Sequence, residues 1–130
     1  MINYSKYIYM LIGYIEGLLK FTVFQCVQNF DSDSMDYLTE GGCKTDCIAG
    51  SIDYKRQRIY IYEPTARSAL LALAHEGGHA LSYIENKDKK FNREQRESLA
   101  YKYGYFLLKE VHANKFISKK AWKNFHKDKN

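Results

Sequence analysis

Apolar and polar positions change period along the chain, and each period predicts an element. Ile8, Leu11, Ile12, Ile15, Leu18, Leu19, Thr22 and Cys26 keep helical spacing, which predicts one long amphipathic helix from about Tyr4 to Gln28. Residues from Asp31 to Glu40 turn polar and acidic and read as a connector. After Gly41 and Gly42 the period shortens: Ile52 and Tyr54, then Ile59 and Ile61, alternate with their neighbours on either side of Lys55-Arg56-Gln57. This predicts a β-hairpin whose second strand runs from Arg58 to Tyr62. The helical period then returns. Ala66, Leu70, Leu73, Ala74, Gly77, Leu81 and Ile84 form one stripe, with Ser68, Ala72, His75, His79 and Tyr83 opposite. A helix from Pro64 to about Glu85 is therefore expected to pack with one side and leave the other for chemistry. Asn92 and Gln95 form a capping pair that opens a helix from Arg93 to about Val111. Ser118 caps a short last helix carrying Ala121, Trp122 and Phe125, whose apolar edge docks while its lysines face out.

A hairpin that feeds directly into a helix, flanked by further helices, predicts an α+β fold with sheet and helix as the two layers around the core. The 130 residues make a single domain. Its core is expected over about 42–111, with an N-terminal helix in 1–30 and a basic C-terminal helix or tail over 115–130.

The chemistry is concentrated in the second of these helical patterns. His75, Glu76 and His79 follow the order His-Glu-x-x-His, which on a helix puts the two imidazoles one turn apart on one face, able to bind one zinc ion through neutral ring nitrogens. Glu76 projects about 100° away from His75, placing it as a general base toward water rather than as a ligand. Zinc held by two histidines lacks its usual third protein ligand, and the next helix offers Glu94 and Glu97. Glu97 is favoured, because Ala100 and Gly104 put small residues on its face and permit close packing against Gly77 or Gly78. Glu94 has Tyr101 and Tyr105 on its side, which hold backbones apart. Tyr83, Tyr101 and His112 are candidate donors to a developing oxyanion.

Composition narrows the setting. Hydrophobic residues at 45% and charged residues at 27% place the chain with globular domains. Cys26, Cys43 and Cys47 are too few for a disulfide scaffold, and the spacing of Cys43 and Cys47 makes a poor structural zinc signature. Reduced thiols predict a cytoplasmic protein. The apolar run from Tyr7 to Ile15 keeps a secreted form as the alternative, while Glu16 and Lys20 interrupt it too early for a membrane span. The net charge of +5 gathers at Lys115, Lys119, Lys120, Lys123, Lys127 and Lys129. No nucleic-acid module accompanies these lysines, so no nucleic-acid partner is expected.

Arg58-Ile59-Tyr60-Ile61-Tyr62, then Leu70-Leu71-Ala72-Leu73-Ala74-His75-Glu76-Gly77-Gly78-His79-Ala80-Leu81, then Glu97-Ser98-Leu99-Ala100 leading to Phe106-Leu107-Leu108, resembles the ImmA/IrrE type of small gluzincin metallopeptidase. The helix order is also similar to that of the single-domain minigluzincins. Tyr101 and Lys109 stand where ImmA/IrrE members commonly carry Asn and Pro. The resemblance implies a zincin-like α+β domain, Zn2+ held by His75, His79 and Glu97, Glu76 as catalytic base, and limited hydrolysis of a protein or peptide such as a repressor. The other reading is a non-catalytic binding or inhibitory protein on the same scaffold.

Overall fold

The computed structural model describes residues 2–25, 50–61, 66–86 and 89–129. The connector from Asp31 to Glu40, the three cysteines and Pro64 lie outside the described residues. Among the described residues the molecule is α+β, with four helices and a small mixed sheet of three strands. Among the described residues no helix is long and apolar enough to cross a membrane.

Helix α1 (Tyr4–Tyr14) starts at Asn3, whose Oδ1 accepts a hydrogen bond from the Lys6 backbone N–H at 3.3 Å. It runs into a π-helical turn, Ile15–Leu19, and Lys20 stops it in the left-handed region at φ 62°. The wide turn shifts the helical register by about one residue. Ile8, Leu11, Ile15 and Leu19 are buried, while Leu18 is left 66% exposed.

The single helix expected to reach Gln28 therefore ends at Leu19. Thr22–Gln25 is instead strand β1, parallel to strand β3. The physical reason lies in the spacing. Thr22 and Cys26 are four residues apart, a separation that keeps one face in a helix and also in a strand of period two. The aromatic and β-branched run Phe21-Thr22-Val23-Phe24 prefers the pleated conformation. Its backbone groups find partners there: the Thr22 N–H donates to the Gln57 carbonyl at 2.9 Å, and the Val23 N–H donates to Glu16 Oε2 at 3.0 Å.

Strands β2 (Gly50–Asp53) and β3 (Arg58–Ile61) form the expected hairpin, with Ile52 opposite Ile59. Gln57 takes the left-handed conformation in the turn, at φ 54°. Burial pushes the Asp53 carboxyl up, but hydrogen bonds from the Arg56 backbone and guanidinium outweigh it and hold its pKa below the usual carboxylate value. The sheet order is β1-β3-β2, so β2 is an edge strand among the described residues.

Helix α2 (Ala66–Glu85) is the centre of the fold. A one-sided helix is expected from its pattern, but every residue from Ala69 to Ser82 is buried. Neighbours approach it from several directions: Ile15 and Leu107 lie against Gly77, the backbone at Ala100 and Gly104 lies against Gly78, and Gly50 of β2 lies beside Glu76. The face that carries the histidines is thus enclosed as well. Helix α3 (Arg93–Glu110) opens with a complete capping box, Gln95 N–H to Asn92 Oδ1 at 2.8 Å and Asn92 N–H to Gln95 Oε1 at 3.0 Å. Helix α4 (Lys119–Lys129) begins at Ser118, whose Oγ accepts from the Ala121 N–H at 3.1 Å. Its Trp122 is fully buried, donating Nε1–H to the Tyr101 carbonyl at 2.9 Å, while Lys119, Lys120, Lys123 and Lys127 are exposed.

Candidate metal centre

Three features of the sequence bring the site together. The i, i+4 spacing stacks His75 and His79 on one face of α2, with ring centroids 4.8 Å apart and planes nearly perpendicular. The small residues of α2 and α3 then let the two helices touch. A Cβ on Gly78 would come within 2.5 Å of the Ala100 carbonyl oxygen and 2.7 Å of the Gly104 nitrogen, so only glycine fits. This approach carries Glu97, one turn before Ala100, onto the histidines. Its Oε2 lies 3.4 Å from His75 Nε2 and its Oε1 lies 3.4 Å from His79 Nε2.

Those distances are the ones a zinc ion asks for. Tetrahedral ligands at about 2.0–2.1 Å from a shared ion stand roughly 3.3–3.4 Å from one another. His75, Glu76 and His79 also gather their donor atoms within 4.8 Å. Two imidazoles and a carboxylate are the nitrogen and oxygen donors zinc accepts. The donor set fits a divalent ion of this kind. Glu76 and His75 are only 3% exposed, so the Glu76 carboxylate sits where charge is expensive unless a cation or donors offset it.

Glu94 is exposed, one turn earlier on α3. It shares a cleft of about 660 Å³ with Glu97, Tyr101 and His126. A second cleft of about 600 Å³ is walled by His79, Tyr54, Tyr83, Lys89, Lys90 and Arg96. His79 therefore borders one open space and Glu97 the other.

Of the three candidate oxyanion donors, Tyr83 and Tyr101 border these clefts, Tyr101 with its ring 5.1 Å from that of His126. His112 does not. It is exposed in a left-handed conformation beyond the end of α3, and the rise per helical residue puts it roughly 20 Å along the axis from Glu97. Its distance along the helix could be read from the sequence, and it removes His112 from the site.

Two residues enter the site that the sequence did not single out. Tyr54 follows β2 and presents its ring edge-on to His79 at 6.5 Å while stacking on Tyr83 at 4.9 Å. Burial, with the nearby Glu76 and Glu97 charges acting against Arg96, pushes its pKa up to about 12, so it stands in the site as a neutral phenol donor. His126 of α4 lies with its Nε2 2.7 Å from His75 Nδ1. Its only signal in the sequence is its place four residues after Trp122, on the apolar edge that docks. Compared with known proteins, the chain matches no family model, no curated protein and no solved structure.

Proposed function

We propose that the chain is a zinc-dependent metallopeptidase of the gluzincin type, similar to the ImmA/IrrE proteins, that cuts a protein or peptide substrate by limited hydrolysis. The observation that carries this reading is the Glu97 carboxylate with one oxygen 3.4 Å from His75 Nε2 and the other 3.4 Å from His79 Nε2, with Glu76 beside the histidines. His75, His79 and Glu97 hold the ion. When bound, zinc supplies Lewis acidity toward water and a peptide carbonyl.

The residues of the chain do the rest. The Glu76 carboxylate accepts a proton from the attacking water and delivers it to the nitrogen of the leaving amine as the C–N bond breaks. The Tyr54 hydroxyl, kept protonated by its surroundings, donates to the carbonyl oxygen as charge builds on it. Strand β2 starts at Gly50 beside Glu76 and leads to Tyr54 near His79. An extended substrate lies along this side of the site, and the two clefts receive the side chains on either side of the cut.

Glu76→Gln separates this from a protein that acts by binding alone. The amide keeps the shape but cannot take the proton, so turnover falls about 100-fold or more while zinc content and thermal stability persist. New protein termini in cells expressing the wild type should vanish in cells expressing the variant. A full cellular effect from zinc-loaded Glu76→Gln protein would overturn the peptidase reading and favour sequestration.

A further inference from the structure

Helix α4 reaches the site through one histidine. His126 is 8% exposed and packs between Trp122 and Tyr101, with ring centroids 4.2 Å and 5.1 Å away. Its Nδ1 lies 3.0 Å from the Trp122 carbonyl oxygen, and its Nε2 lies 2.7 Å from His75 Nδ1. A carbonyl oxygen only accepts, so the proton of a neutral His126 sits on Nδ1. Its Nε2 then carries a lone pair and must accept. The donor is His75 Nδ1–H, which leaves the lone pair of His75 on Nε2, the atom that faces Glu97 at 3.4 Å.

From this chain of bonds we infer that His126 is a positioning residue that sets the tautomer and ring orientation of His75, so that Nε2 of His75 is the metal-binding nitrogen. The inference rests on the zinc reading above for its purpose, but the tautomer itself does not require the metal. A histidine that binds a metal ordinarily donates its other N–H to a carboxylate, a carbonyl or water. Here a second imidazole, itself oriented by a backbone carbonyl, takes that part. It also couples the site to α4, since Trp122 anchors that helix by filling the space above Gly104.

Two measurements test this. The first is long-range 15N–1H NMR of the zinc-free wild type, which reads the tautomer of each histidine directly. The expected result is His75 protonated on Nδ1 and His126 protonated on Nδ1. A neutral His75 whose single ring proton sits on Nε2 would overturn the proposal whether or not the protein binds zinc.

The second is zinc competition against a chromogenic chelator. His126→Leu removes the acceptor and should weaken zinc retention about 10- to 100-fold, the usual cost of losing such a partner. His126→Glu restores an acceptor at similar reach and should bring retention back to near the wild-type value. If both variants weaken zinc equally while remaining folded by circular dichroism, the acceptor role fails and His126 is only packing. A wild type that binds no zinc while showing the expected tautomers would instead overturn the metallopeptidase reading and leave the His126–His75 arrangement standing.

Discussion

Tyr54 shows how one side chain reports the charge of the whole site. Burial and the Glu76 and Glu97 carboxylates disfavour its phenolate, raising the pKa from 10.0 to about 12 against the opposing pull of Arg96. The unfolded chain therefore releases this proton before the folded one does. The stabilising contribution is complete below pH 10 and is lost as pH rises toward 12. Urea unfolding of zinc-free protein across this window should show stability falling more steeply for the wild type than for Tyr54→Phe. Identical slopes would mean that neither burial nor the two carboxylates hold the Tyr54 proton. The alternation of Tyr54 with Ile52 predicted a strand residue, but β2 ends at Asp53 and Tyr54 stands in the turn that follows. Its place in the site was not legible, because nothing local says which helix the turn will face.

Among the elements, the contact of α2 with α3 decides where Glu97 goes. Gly77 and Gly78 are neighbours in sequence but unequal in surroundings. A Cβ on Gly78 would strike backbone at 2.5 Å and 2.7 Å, whereas one on Gly77 would meet the side-chain ends of Leu107 at 2.8 Å and Ile15 at 2.9 Å. Backbone cannot move aside without moving its helix. Gly78→Ala is expected to cost about 1–3 kcal/mol and to displace Glu97 from the histidines, loosening zinc. Gly77→Ala should cost less, since flexible side chains can turn away and alanine favours the helix by up to about 1 kcal/mol. Thermal melts of the two variants, with zinc retention measured beside them, check the order. Equal losses would show that the helices are not held at this approach. The close approach was legible beforehand from the small residues Ala100 and Gly104 on the Glu97 face. The switch from helix to strand after Lys20 was not, since a four-residue spacing suits both.

At the scale of the molecule, the site draws on α2, α3 and α4 with β2 alongside, so the ion would tie the fold together. A ligand that binds only the folded state adds stability by mass action, about 2.7 kcal/mol at a free concentration 100 times Kd. Chelation should lower the melting temperature of the wild type and of Glu94→Ala. It should leave Glu97→Ala unmoved, since that variant has already lost the carboxylate that lies against both imidazoles. A chelator response in Glu97→Ala together with none in Glu94→Ala would transfer the ligand role to Glu94. The core likewise runs through all of these elements. It joins Ile8, Leu11 and Ile15 of the N-terminal helical segment to Trp122 of α4, although the stretch from about 42 to 111 is the one in which a core was expected.

By itself the sequence determined what depends on neighbours along the chain. The hairpin around Lys55-Arg56-Gln57, the capping box of Asn92 and Gln95, and the one-turn stacking of His75 on His79 all follow from spacings of two to four residues. The α+β class follows from the order of those periods. Tertiary structure decided what depends on partners far away in sequence: the all-round burial of α2, the parallel pairing of β1 with β3, the entry of Tyr54, and the approach of His126 to a histidine 51 residues earlier. Periodicity reports which side of an element is apolar and carries no record of how many neighbours will surround it. A polar face reads as solvent-facing until another polar group, brought by the fold, is found hydrogen-bonded to it.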